Sequence, residues 1–234
     1  MIEREAKKTI LEVSEAFKVL LVTGPRQVGK TTLLKSIMPE NMNYVTLDDE
    51  NLRTMAQEDP KLFLEEHKAP LLIDEVQYAP NLFSYIKIKV DNENKPGMYW
   101  LTGSQQFKLM KNVQESLAGR VGIVRLNSFT YSEINKKAET KEIFNPKKIV
   151  KSELIDVNTL YEYIFKGGMP ELYNNDKMKR EYFFNSYIET YLTRDVENAV
   201  SISNLETFKN FMITVASGNG EQLNYTKIGS EVGI

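Results

Sequence analysis

Eight consecutive residues, Gly24-Pro25-Arg26-Gln27-Val28-Gly29-Lys30-Thr31, fit the pattern G-x-x-x-x-G-K-[ST] at every fixed position. Glycines at both ends let the backbone curl until successive N–H groups point into one hollow. A helix opening after the loop adds the positive end of its dipole, and such a hollow suits a chain of phosphates. In that geometry Lys30 reaches the β- and γ-phosphates, Thr31 turns its hydroxyl towards a Mg2+ ion, and the backbone from Gly24 to Thr32 supplies the remaining donors. Bound Mg2+ keeps several waters, which a carboxylate at a neighbouring strand end can hold. Leu71-Leu72-Ile73-Asp74-Glu75 supplies one. Three apolar residues carry Asp74 to the end of a strand as the metal's partner, and Glu75 follows as a base able to polarise a water for attack on the γ-phosphate. A third run, Tyr99-Trp100-Leu101-Thr102-Gly103-Ser104-Gln105, ends in small polar residues. Ser104, and after it Gln105, are the choices for a sensor between that water and the phosphate.

These side chains need a scaffold, and the apolar pattern supplies it. Ile2, Ala6, Ile10, Val13 and Phe17 recur at helical spacing ahead of an apolar run at 18–23, and a second helical pattern follows the loop at 31–38. Further strands are expected at 43–47, 69–73, 98–102 and 121–126, with helices across 50–67, 81–90 and 105–117 between them. This alternation predicts an α/β fold with a five-stranded parallel sheet and right-handed crossovers. Ligands of open sheets of this kind bind beyond the carboxyl ends of the strands, where the loop and Asp74 both fall.

Beyond Ser128 strand-like runs become scarce. Six lysines between Lys136 and Lys151 read as a solvated connection, and helical patterns fill 158–165, 182–200 and 204–217. The expected organisation is a nucleotide-binding domain at 1–130, a helical lid or connector at 131–200, and the start of a winged-helix-like domain at 201–234. In that last segment Asn224 or Thr226 caps a short helix, Ile228 and Val232 face its core, and Gly233 makes a turn. A recognition helix should begin where the sequence stops at Ile234, so the chain is expected to be a fragment of a longer protein.

Composition removes several alternatives. Thirty basic residues against 32 acidic ones give a net charge of −2, so no whole-chain field steers the protein onto nucleic acid. With no cysteine and a single histidine, His67, thiolate chemistry and zinc clusters are excluded. The first residues carry no signal-peptide pattern and no apolar run reaches membrane-spanning length, so a cytoplasmic protein that does not enter the membrane is the expectation. No Asn-Lys-x-Asp guanine-reading motif is present, which favours ATP over GTP.

The ordered set GPRQVGKTTL, LLIDEVQ, WLTGSQQ, SLAGR (116–120), GGMPE (167–171) and YLTRDV (191–196) resembles a family of bacterial and archaeal AAA+ ATP-binding proteins. Their nucleotide domain precedes a winged-helix-containing C-terminal domain of unknown function. The resemblance implies a P-loop NTPase sheet in the order 5-1-4-3-2, ATP hydrolysis with Mg2+ and a sensor at or near Ser104. It also implies an arginine finger at Arg120, acting on its own site or a neighbouring subunit's; a structural salt bridge is the alternative there, and Arg26 has the same ambiguity. GGMPE and YLTRDV receive no chemistry from it. Implied partners are ATP, DNA or protein through the C-terminal module, and further copies in a homo-oligomer. An ATPase that moves its C-terminal module and a nucleotide-gated binding switch with little hydrolysis both stay open.

Overall fold

Short apolar runs separated by helices become a sheet covered on both faces. The computed structural model describes residues 2–104, 113, 115–136, 155–191 and 205–233. Five strands, β1 (Val19–Thr23), β2 (Asn43–Thr46), β3 (Leu71–Asp74), β4 (Tyr99–Gly103) and β5 (Val121–Arg125), pair in parallel in the order β2-β3-β4-β1-β5. This is the expected 5-1-4-3-2 order read from the other edge. Pro70 has no N–H to give a ladder, and β3 begins only after it.

Alternation along the strands builds two cores. Val19, Leu21, Leu71, Ile73, Tyr99 and Leu101 face Phe63, Phe83, Ile86 and Val90. Leu20, Val22, Leu72 and Trp100 face Ile10, Leu33 and Leu34 on the other side. Full burial of one such side chain is worth about 1.5–3 kcal/mol, so these two layers fix where the strand ends stand.

The helices around the sheet are α1 (Ala6–Ala16), α2 (Lys30–Ile37), α3 (Glu50–Glu58), α4 (Pro60–Glu66) and α5 (Leu82–Glu93). Then come α6 (Tyr131–Ile134), α7 (Val157–Lys166) and α8 (Glu171–Asn174). The stripe starting at Ile2 overstates α1, which begins at Ala6, after the buried Arg4. Asp49 caps α3 and Asp59 caps α4, where Pro60 occupies the first helical position, so one expected helical stretch is two helices. The described residues form two compact units, one ending at Arg180 and one beginning at Glu181. The second holds α9 (Arg180–Tyr191) from its second residue on, α10 (Leu205–Ser217) and α11 (Tyr225–Val232). Asn224 caps α11 by accepting from the Lys227 amide, Val232 is buried, and Gly233 turns with φ of 82°. Gln105, most of the stretch to Leu117, the lysines between 137 and 151, and Arg194 and Asp195 lie outside the described residues. Among the described residues no helix is long and apolar enough to cross a membrane.

Candidate functional site

Parallel strands in register place their carboxyl ends along one edge. Thr23 pairs with Gly103 and Arg125, while Thr46 pairs with Asp74. The Gly24–Gly29 loop leaves β1 at this edge and closes on α2, whose first residue is Lys30. Gly24 has φ of 150°, and a Cβ there would stand 2.0 Å from the Leu126 carbonyl oxygen, so the close approach of loop to chain requires glycine. Gly29 caps α2 in the left-handed region at φ 87°. Gln27 shares that region at φ 59° without being glycine, a local cost the loop carries. Lys30 is buried, and its Nζ donates to the Gly24 and Pro25 carbonyls at 3.1 and 2.8 Å, bracing the loop across its mouth.

The acidic pair stands beside the loop. Thr31 Oγ1 donates to Asp74 Oδ1 at 2.7 Å, which joins the start of α2 to the end of β3. Thr102, fully buried at the end of β4, donates its hydroxyl to the same Oδ1 and accepts the Glu75 N–H at 3.1 Å. Tyr44 OH donates to Asp74 Oδ2 at 3.4 Å. Burial, followed by the nearby Asp74 charge, raises the Tyr44 pKa, so the phenol keeps its proton as a donor. The Lys35 ammonium lies 3.5 Å from the centre of the Tyr44 ring.

Glu75 turns out of the strand in a left-handed conformation, φ 55°, which is rare for a side chain other than Gly or Asn and carries its carboxylate away from Asp74's row. Its Oε2 accepts from Gln77 Nε2 and from Ser104 Oγ, the latter at 3.2 Å. Gln77 is buried, and its Oε1 has no hydrogen-bond partner among the described residues. The structure therefore brings Lys30, Thr31, Asp74, Glu75 and Ser104 to one edge. It adds Thr102, Gln77 and Tyr44, which sequence reasoning did not single out although two of them stand in the quoted runs.

Arg120 is not at this edge. It precedes β5, whose Val121 pairs with Val19 at the start of β1, so the cradle lies at the other end of a four-residue strand step, about 13 Å away. Its guanidinium is paired with Asp91 of α5, Nε to Oδ1 at 2.6 Å and Nη2 to Oδ2 at 2.9 Å. That two-pronged bond holds the Asp91 carboxyl below its ordinary pKa and raises Arg120's.

A second group of residues closes the loop from behind. A cavity of about 270 Å³ opens between Ile2, Arg4, Gly29, Thr32, Phe129 and Pro170. Pro170 reaches it through the GGMPE segment: Phe129 N–H donates to the Gly168 carbonyl at 2.7 Å, and a Cβ on Gly168 would meet the Phe129 carbonyl at 2.3 Å. Gly168 of that motif thus serves close backbone packing beside the cradle.

A parallel sheet of this order, with a glycine loop feeding a helix and two strand-end carboxylates beside it, defines a P-loop nucleotide-binding protein. The chain belongs to the AAA domain family, whose profile matches residues 16–135, and a domain of unknown function matches residues 157–234. Uncharacterized proteins of Mycobacterium tuberculosis and Mycobacterium bovis are each 34% identical to it over 136 residues. That stretch is 58% of this chain and 31% of theirs, so the match spans about a third of the length of those relatives. The Walker-type ATPase of Pyrococcus abyssi shares the fold, with a TM-score of 0.54 at 14% identity over 100% of this chain and 88% of that one.

Proposed function

We propose that the chain binds Mg-ATP in the Gly24–Thr32 cradle and hydrolyses it to ADP and phosphate. The observation that carries this reading is the continuous hydrogen-bonded row from Thr31 through Asp74 and Thr102 to Glu75 and Ser104 at the mouth of the cradle. Backbone N–H groups at the start of α2 face the phosphates because the first turn of a helix leaves them without intrahelical acceptors. Lys30 would leave its loop carbonyls for the β- and γ-phosphates. The cavity bounded by Ile2, Arg4 and Pro170 supports a place for the base on the opposite side of the loop from Asp74.

A hydroxyl and a carboxylate on adjacent elements are the hard oxygen donors Mg2+ accepts, and Thr31 and Asp74 would hold it, directly or through water. When bound, the ion neutralises charge on the β- and γ-oxygens. Glu75 takes a proton from the attacking water, and Ser104, already on its carboxylate, reports the presence of the γ-phosphate. Arg120 would take part only on a neighbouring copy's nucleotide, in a homo-oligomer.

Gln77 and Ser104 together hold Glu75 Oε2, which favours a second reading: a switch with slow turnover until a partner releases the base. In either case nucleotide state would be passed to the C-terminal module, with DNA or protein as its partner. Replacing Glu75 by Gln should preserve Mg-ATP binding in calorimetry and abolish phosphate release. Undiminished release from that variant removes Glu75 as the base. Turnover of the wild type with double-stranded, single-stranded and no DNA separates the ATPase from the switch.

A further inference from the structure

Arg4 is a charged side chain with only 7% of its surface exposed, paired with Glu133, which has 2% exposed. Nε donates to Glu133 Oε1 at 3.0 Å, Nη1 to the Val28 carbonyl at 2.7 Å and Nη2 to the Asn127 carbonyl at 2.6 Å. The guanidinium also lies 4.8 Å from the centre of the Phe129 ring. Glu133 is held as firmly, accepting the Glu5 N–H at 2.8 Å and the Thr130 N–H at 3.0 Å. Burying such a pair gains little stability over an apolar one, so its value must lie in position.

We infer that Arg4 is a positioning residue for the phosphate cradle, acting through the Val28–Gly29 peptide. A trans peptide is a rigid plane whose C=O and N–H point in opposite directions. Clamping the Val28 oxygen behind the loop therefore aims the Gly29 N–H forward into the hollow. A cationic donor on the carbonyl also polarises the unit and strengthens that N–H as a donor. Because Gly29 is at φ 87°, its peptide has no side chain to hold it, and Arg4 Nη1 is the group nearest to where its Cβ would stand, at 3.8 Å. Lysine cannot substitute: three acceptors spread around one plane require the guanidinium fork. The inference rests on the cradle holding phosphates.

The test measures inorganic tripolyphosphate with Mg2+, Mg-ADP and adenosine by calorimetry on the wild type and on Arg4→Gln and Arg4→Lys, each shown folded by its melting curve. Loss of the clamp should weaken tripolyphosphate and ADP by a common factor of about tenfold. Adenosine, which has no phosphate for the Gly29 N–H to hold, loses much less affinity than tripolyphosphate although Arg4 also bounds the cavity proposed for the base, and the Lys variant recovers only part of the tripolyphosphate loss. Unchanged tripolyphosphate binding overturns the inference, as does a loss confined to adenosine and ADP, which would leave Arg4 acting only as a wall of the base cavity. Should neither variant fold, hydrogen exchange on the wild type decides it. Tripolyphosphate must slow exchange at residues 4–8 along with the cradle, and protection of the cradle alone refutes the coupling. A wild type that takes up no tripolyphosphate and no nucleotide overturns the cradle reading itself, whereas wild-type uptake matched by the variants overturns only the role of Arg4.

Discussion

Thr102→Val is the sharpest perturbation the site allows, because valine keeps nearly the shape of threonine and removes one hydroxyl. That hydroxyl donates to Asp74 and accepts from the Glu75 N–H, and the residue is fully buried. A hydrogen bond to a charged group is worth about 1.5–3 kcal/mol, and a buried N–H left without acceptor costs about 1–3 kcal/mol. Thr31 still holds Asp74 Oδ1 in the variant, which places the first figure at its lower end. A total near 3 kcal/mol follows, and for a chain of this size each kcal/mol lowers Tm by about 2–4 °C, giving a fall of about 6–12 °C. Turnover should fall further than stability suggests. Freed from Thr102, the left-handed turn at Glu75 relaxes, and a 1 Å displacement of a reacting group costs about a hundredfold in rate. Mg-ATP affinity should change little, since the cradle amides are untouched. Melting curves and steady-state phosphate release measure both quantities, with Thr102→Ser, which keeps the hydroxyl, expected to retain turnover. A valine variant that melts with the wild type and turns over at the same rate would refute the reasoning.

Gly168→Ala forces a Cβ to within 2.3 Å of the Phe129 carbonyl, so two backbones must part. Urea unfolding should register a loss of about 1–3 kcal/mol, accompanied by weaker ATP binding as Pro170 withdraws from the cavity. Arg120→Ala should leave ATP affinity of the isolated chain unchanged in calorimetry, and a large loss would show that the side chain leaves Asp91 to reach its own cradle. The same variant alters the acid limb: the Asp91 carboxyl lies below its ordinary 3.8, so its contribution is present above that pH and is lost as pH falls through the depressed value. Acid unfolding of wild type and variant should therefore converge at low pH. At the alkaline end, burial pushes the Tyr99 phenol up to about 12 from 10.0, so its contribution is complete below pH 10.0 and is lost as pH rises through about 12. Tyr99→Phe should flatten alkaline unfolding, removing a fall of about 3 kcal/mol.

The strands, the cradle and the acidic pair were legible because each obeys a local rule: short apolar runs for strands, fixed glycines for the turn, a carboxylate after an apolar run; the strand order followed from the family resemblance. What escaped depends on distant partners. Arg4 meets Glu133 across 129 positions, and within the N-terminal stripe it reads as one more solvated charge. Thr130-Tyr131-Ser132-Glu133 does carry a readable capping-box pattern, and both reciprocal bonds form at α6, but nothing local says that the same carboxylate receives Arg4. The far placement of Arg120 was implicit in the topology, since in a parallel sheet any residue that precedes a strand stands at the edge opposite the strand-end loops. Arg120 was named through the family resemblance, and the direction of the chain places it away from its own cradle. Gly168 was visible as part of a motif, yet only the approach to Phe129 gives its lack of a side chain a reason.

Two hydrogen-bonded networks touch the cradle from opposite sides. In front, Thr31, Asp74, Thr102, Glu75 and Ser104 join the ends of β3 and β4 to the start of α2. Behind, Arg4 and Glu133 tie the N-terminal segment to Val28, to Asn127 and to α6, while Phe129 ties that region to the GGMPE segment. Both reach the loop within four residues, at Val28 and at Thr31. A ligand that fixes the peptides between those two points must therefore bias both networks, and by thermodynamic reciprocity either network must alter affinity for that ligand. In the proposed reaction the front network would order the groups that activate the attacking water, and the rear one the peptide that receives the phosphate. A substitution behind the loop should accordingly act on binding before chemistry, and one in front on chemistry before binding. A rear variant that spared affinity and lost turnover would mean that the networks are wired through the sheet instead of through the loop.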